Sequence, residues 1–146
     1  MQSIKEPPPP DSVTATRFSR QRVDLGYNPL KNLRVAVFYE EFDNGNSGDD
    51  TVLIDWTLSA KQKLTLTGNC FIDFIDPPGP CDLTLRLVQD STGSRTVSWT
   101  KIIKWPNGNA PSLTTTANAI DIIVFYYDGY YYYGIFGSSY KWDNEL

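Results

Sequence analysis

The chain has 146 residues, enough for one ordinary domain, with 13 basic and 17 acidic side chains, a net charge of −4 and no histidine. The missing histidine removes the commonest general base, the usual transition-metal ligand and the side chain that titrates near neutrality. No apolar run is long enough to span a bilayer as a helix and no charged start with an apolar core marks a signal peptide, so the chain is expected to stay in water, away from membrane.

Residues 1–32 read as an extended, Pro-rich, basic arm. Four prolines, Pro7 to Pro10, favour polyproline geometry, and the large apolar residues that follow show neither helical nor strand periodicity. Such a segment buries too little surface to fold alone. Through residue 34 it carries six basic and three acidic side chains, a net of +3, whereas residues 35–146 carry a net of −7. The expected partner-binding residues are Arg17, Arg20 and Arg22, with Phe18, Leu25, Tyr27 and Leu30 as apolar anchors. Guanidinium forks pair bidentately with carboxylates, so an acidic neighbouring protein is the expected partner. Nucleic acid is not, because the acidic remainder would repel phosphate.

Residues 33–146 read as a β-sandwich domain. Leu33 to Phe42 is a β-rich run, followed by Asp43-Asn-Gly-Asn-Ser-Gly-Asp-Asp50, whose low apolar content predicts a flexible, solvent-facing loop. Its carboxylates, with Glu40 and Glu41, raise the question of Ca²⁺, but the EF-hand ligand order is absent and a solvated loop is the simpler reading; no cofactor or metal is expected. Thr51 to Leu58 is the next predicted strand. Leu64 and Leu66 alternate with Thr65 and Thr67. Cys70, Ile72 and Phe74 face one way, while Phe71, Asp73 and Ile75 face the other. Asp76-Pro-Pro-Gly-Pro80 ends that strand, since successive prolines cannot donate to a ladder. Cys70 and Cys81 flank this segment as two small buried thiols or, alternatively, a disulfide.

Leu83, Leu85 and Leu87 share one face of the following strand, and Arg95 to Trp99 forms another. In the last predicted hairpin Ile120 to Tyr127 meets Tyr130 to Phe136 through Asp128-Gly129, a pair favoured in two-residue type I′ turns. Ile122 to Phe125 are apolar in succession, which predicts cover on both faces. No long helix is expected. Eight or so short strands point to an all-β fold, a single β-sandwich of jelly-roll type with an extended N-terminal arm.

The ordered set Leu66-Thr-Gly-Asn69, Pro77-Pro78, Leu85-Arg-Leu-Val-Gln-Asp90, Gly93-Ser-Arg-Thr-Val97 with Trp99, Lys104-Trp-Pro106, Ala110-Pro-Ser-Leu-Thr-Thr-Thr-Ala-Asn118 and Phe125-Tyr-Tyr-Asp-Gly129 with Tyr133-Gly134 resembles a β-rich module of bacteriophage virion proteins. Such modules occur at the ends of tail-fibre proteins and in small head-associated proteins. The resemblance runs over roughly residues 52–136 and implies a multimeric particle component without enzymatic activity.

A chain that begins with its own Met1 and carries a tethering arm fits a capsid decoration (cement) protein on the head surface. The resemblance then implies a homotrimer whose arms clamp the major capsid protein or other virion subunits. The alternative is a tail-fibre or receptor-binding tip that recognises host surface glycan. For that reading Tyr126, Tyr127, Tyr130, Tyr131, Tyr132 and Tyr133 are the candidate glycan surface; for the first they are core and oligomer contacts. Carboxylate pairs that would suit glycosidic hydrolysis, Asp73 with Asp76 or Asp55 with Asp82, have nothing in the sequence to set them across a cleft, so no catalysis is expected.

Overall fold

A computed structural model describes residues 40–140. The arm, with Arg17, Phe18, Arg20, Arg22, Leu25, Tyr27 and Leu30, and the run 33–39 lie outside the described residues. The described part is all-β: β1 (Phe42–Asn46), β2 (Thr51–Asp55), β3 (Lys61–Leu66), β4 (Cys70–Ile75), β5 (Cys81–Gln89), β6 (Val97–Trp99), β7 (Ile103–Lys104), a 3₁₀ turn (Pro106–Gly108), β8 (Ile120–Tyr127) and β9 (Tyr132–Gly137). They form a six-stranded sheet, ordered β1-β3-β5-β8-β9-β7, and a three-stranded sheet, ordered β2-β4-β6. No helix among the described residues is long and apolar enough to cross a membrane.

The expected all-β, two-layer architecture is present, with a strand order unlike the antiparallel one of a jelly roll. From β1 to β6 the chain alternates between the two sheets, and every neighbouring pair it makes is parallel. The stride is 20 residues in the first turn (Phe42 beside Gln62, Thr51 beside Phe71) and lengthens later (Lys61 beside Thr84, Cys70 beside Val97). Parallel neighbours need a long crossover, and here each crossover contains a strand of the opposite sheet. Residues 42–99 thus form a flattened coil. β8 and β9 then add antiparallel to β5, and β7 lies parallel to β9 at the sheet edge.

Period-2 alternation builds the core as the sequence predicts. Leu64 and Leu66 of β3, Cys70, Ile72 and Phe74 of β4, and Leu83, Leu85 and Leu87 of β5 are buried between the sheets, joined by Ile54, Ile123 and Phe125. An aromatic cluster fills one end: Phe74 lies 5.5 Å from Trp56, 5.3 Å from Phe125 and 4.9 Å from Tyr132, mostly edge-on or tilted. Such ring geometry is favoured by the quadrupole of each π-system. Both cysteines are free thiols, Cys70 buried and Cys81 half-buried, and burial pushes each above its usual value.

Three buried polar side chains organise the connections. Gln62 donates Nε2–H to the carbonyls of Asp55 and Ser59, fastening the β2–β3 turn. Gln89 donates to the carbonyls of Arg95 and Thr114 and accepts from the Arg95 N–H. Asp121 accepts from Thr114 N–H, Thr114 Oγ1–H and Ser139 N–H. Each therefore satisfies backbone groups of a connection that has no ladder of its own.

Three local expectations are corrected. The predicted loop at 43–50 contains β1: Asn44 Nδ2 donates to Gln62 Oε1 and to the Lys63 carbonyl, Lys63 pairs with Asp43, and Arg86 forks onto Glu41, so side-chain bonds hold a strand that propensity disfavours. The β8–β9 connection has four residues, Asp128 to Tyr131, and the second strand begins at Tyr132 instead of Tyr130. β8 is fully covered on one face only: Ile123 and Phe125 are buried, Ile122 and Val124 are half-buried, and Tyr126 and Ile135 of the outer surface are exposed.

Candidate functional site

The β8–β9 loop sorts the six tyrosines. In register, Tyr127 sits opposite Tyr132 and Tyr126 opposite Tyr133. Alternation sends Tyr127 and Tyr132 inward, where they are buried with ring centroids 4.6 Å apart. Tyr126 and Tyr133 stand outward at 6.2 Å, while Tyr130 and Tyr131 occupy the loop itself. The candidate surface is thus brought together, less two members that belong to the core.

Local chemistry sets the loop. Asp128 Oδ1 accepts the N–H groups of Tyr130 and Tyr131, and Asp128 N–H donates to the Tyr131 carbonyl. Gly129 takes a φ of +101°, where an L side chain is strained. The Tyr131 and Tyr130 amides hold the Asp128 carboxyl below its ordinary value, with a smaller contribution from the Tyr133 hydroxyl at 3.1 Å. Tyr127 Oη–H donates to the Gly129 carbonyl, so a buried ring anchors the loop from beneath.

A second anchor reaches into the other layer. Tyr132 Oη–H donates to Asp76 Oδ1 at 2.7 Å, and Lys101 Nζ sits 3.0 Å from the same oxygen. Partial burial on its own would raise the Asp76 carboxyl, but the Tyr132 hydroxyl and the Lys101 ammonium outweigh it and hold the group below its ordinary value. Burial, and then the bond to Asp76, push the Tyr132 phenol well up. Thr100 donates both N–H and Oγ1–H to the Ile72 carbonyl, which fixes the β6–β7 connection that carries Lys101 and Ile102.

Between these anchors lies a cleft of about 280 Å³ lined by Asp76, Thr100, Lys101, Ile102, Tyr130 and Tyr131, with Tyr132 at its base. Tyr130 is 87% exposed and Ile102 78%. Lys104 Nζ lies 4.1 Å from the Tyr131 ring centroid and 5.1 Å from that of Tyr133, a cation–π contact that steadies both rings. The site offers exposed ring faces beside a fixed carboxylate and ammonium. A somewhat larger cleft, about 350 Å³, lies between Thr114, Thr116 to Ala119, Ser139 and Tyr140. It contains no charged side chain, so the tyrosine cleft is the better candidate for recognition.

Lys101 and Ile102 were not foreseen as site residues, and Asp76 was weighed only as a catalytic partner of Asp73, not as a neighbour of the tyrosines. Asp76 lies 56 positions from Tyr132, and nothing local in the sequence links them. Its place at the end of a strand, directly before Pro77, is the one signal that sets it apart. Of the other carboxylates weighed for catalysis, Asp73 accepts its neighbour Phe74 N–H, and Asp55 accepts both N–H and Oγ1–H of Thr57.

The fold and this end of it can be set beside known proteins. Residues 52–132, more than half the chain, match the family described as "Putative phage tail fibre C-terminal domain". The chain belongs to this family. It is a β-rich structural module of a phage virion, assembled with other structural subunits of the particle. No curated protein and no solved structure matches it. The tail-fibre domain match runs from the second residue of β2 to the first residue of β9, and so takes in strands of both sheets and every residue lining the tyrosine cleft.

Proposed function

We propose that this phage tail fibre C-terminal domain is a receptor-binding tip that holds a saccharide of the host surface in the tyrosine cleft, by binding and without turnover. The observation that carries the reading is the meeting of two kinds of group at one end of the sandwich. Tyr130 and Tyr131 present rings on which the apolar face of a pyranose can lie, and the Asp76–Lys101 pair supplies an acceptor and a donor for its hydroxyls. Tyrosine suits such work because its body is apolar, its tip is polar and it has few rotors to freeze. The family match supports the tail; the head-decoration reading rested on the arm, which lies outside the described residues.

The test is binding of the full chain to oligosaccharides prepared from the host envelope. Wild-type protein is expected to bind, and Tyr130→Ala and Tyr131→Ala to weaken binding by at least about tenfold, as loss of a central aromatic contact does. Asp76→Asn keeps the shape and removes the charge, and should weaken it less. Absence of binding to any fraction, or binding indifferent to all three substitutions, would refute the proposal.

A further inference from the structure

We propose that the outer face of the β2–β4–β6 sheet is a docking surface for the basic segment 17–30 of a second copy of this chain. Along β2 the outward residues are Thr51, Leu53 and Asp55, and along β4 they are Phe71, Asp73 and Ile75. The register sets Thr51 beside Phe71, Leu53 beside Asp73 and Asp55 beside Ile75, with Ser98 of β6 flanking Phe71. The result is a chequer of apolar and acidic groups. Leu53 is 53% exposed, Phe71 51% and Ile75 40%, an uncommon amount of large apolar surface for neighbours on one face.

Among the described residues, the charge on this face has no ion-pair partner. None of β2, β4 and β6 contains Lys or Arg. Among the described residues the ion pairs engage Asp43, Glu41, Asp90 and Asp76, and none engages Asp55 or Asp73. Two such faces would repel each other, and a nucleic acid would be repelled by both. Charge complementarity instead selects a basic, apolar peptide. Residues 17–30 of this chain have that composition, with Arg17, Arg20 and Arg22 interspersed with Phe18, Leu25, Tyr27 and Leu30. The asymmetry is that of the whole chain, +3 through residue 34 and −7 beyond it, so copies gathered in a particle are complementary head to body. Guanidinium groups would fork onto the carboxylates while the apolar side chains cover Leu53, Phe71 and Ile75.

The experiment is sedimentation of the full chain at about 50 mM salt, where surface charges are weakly screened. Wild-type protein is expected to self-associate. Asp73→Lys, Phe71→Ser and the pair Arg20→Glu with Arg22→Glu are each expected to weaken association by at least about tenfold, as loss of interface charge or anchor does. All of these face residues point away from the core, so near-UV circular dichroism should be unchanged; Leu53→Ser replaces any variant that fails this check. Combining Asp73→Lys with Arg20→Glu and Arg22→Glu in one chain restores association. Mixing the Asp73→Lys chain with the Arg20→Glu/Arg22→Glu chain gives hetero-association through one intact segment–face pair. A monomeric wild type, association insensitive to the face substitutions, failure of the charge swap to restore it, or no hetero-association in the mixture would each overturn the proposal.

Discussion

Gly134 and Trp105 make the sharpest test of the packing. The glycine sits in β9, and the indole of Trp105 packs against it, so that a Cβ at position 134 would overlap Cζ3 and Cε3 of that ring. Trp105 in turn contacts Trp99 at 5.6 Å and Phe125 at 5.9 Å. Gly134→Ala therefore forces the indole outward. Overpacking typically costs about 1–3 kcal/mol, and each weakened ring pair adds about 0.5–1.5 kcal/mol. Allowing for partial retention of both pairs, the expected loss is about 2–4 kcal/mol. The backbone at Gly134 is not in the left-handed region, so alanine itself is tolerated there. In a Trp105→Ala background the same Gly134→Ala change should then be neutral or stabilise by up to about 1 kcal/mol, because alanine loses less backbone entropy on folding. Urea unfolding of the four proteins gives the coupling directly, with tryptophan emission reporting the displaced indole. Equal effects of Gly134→Ala in the two backgrounds would refute the account of why a glycine stands there.

Three further outcomes follow from the site and its supports. Asp121→Ala removes a buried acceptor of three hydrogen bonds and is expected to cost about 3–5 kcal/mol, seen as a lower urea midpoint and faster proteolysis within residues 111–118. Because the Asp76 carboxyl is depressed in the folded chain, its contribution is present above the unfolded value and lost as pH falls through the folded one; the drop in stability between pH about 6 and about 3 should be smaller in Asp76→Asn than in wild type. An equal drop would mean the Tyr132–Asp76–Lys101 contact does not form. Gly93→Ala should destabilise strongly, since φ is +73° and its Cβ would come within 2.5 Å of the Thr115 carbonyl oxygen; a midpoint like that of wild type would argue against this close approach.

What the sequence revealed follows the range of each interaction. β3, β4 and β5 were legible because their inward residues recur at every second position, a property of one strand alone. Their neighbours were not, because the 20-residue stride links Phe42 to Gln62 and Thr51 to Phe71 only through the stacking of successive turns, and the intervening strand belongs to the other sheet. β1 was hidden by composition: Asp43-Asn-Gly-Asn46 reads as a loop until Asn44, Gln62 and Lys63 are seen to bond across the edge. The tyrosine run announced a surface, from which alternation along the two strands withdraws Tyr127 and Tyr132 into the core. Only the long bond from Tyr132 to Asp76, and through it to Lys101, made that surface a cleft.

The most direct test of a tail-tip role is to locate and count the protein on intact particles, with gold-labelled antibody against residues 40–140 and quantitative mass spectrometry of the same preparation. A receptor-binding tip predicts label at the distal ends of the fibres and a handful of copies per particle. Label spread over the head, with copies in the hundreds, would contradict it.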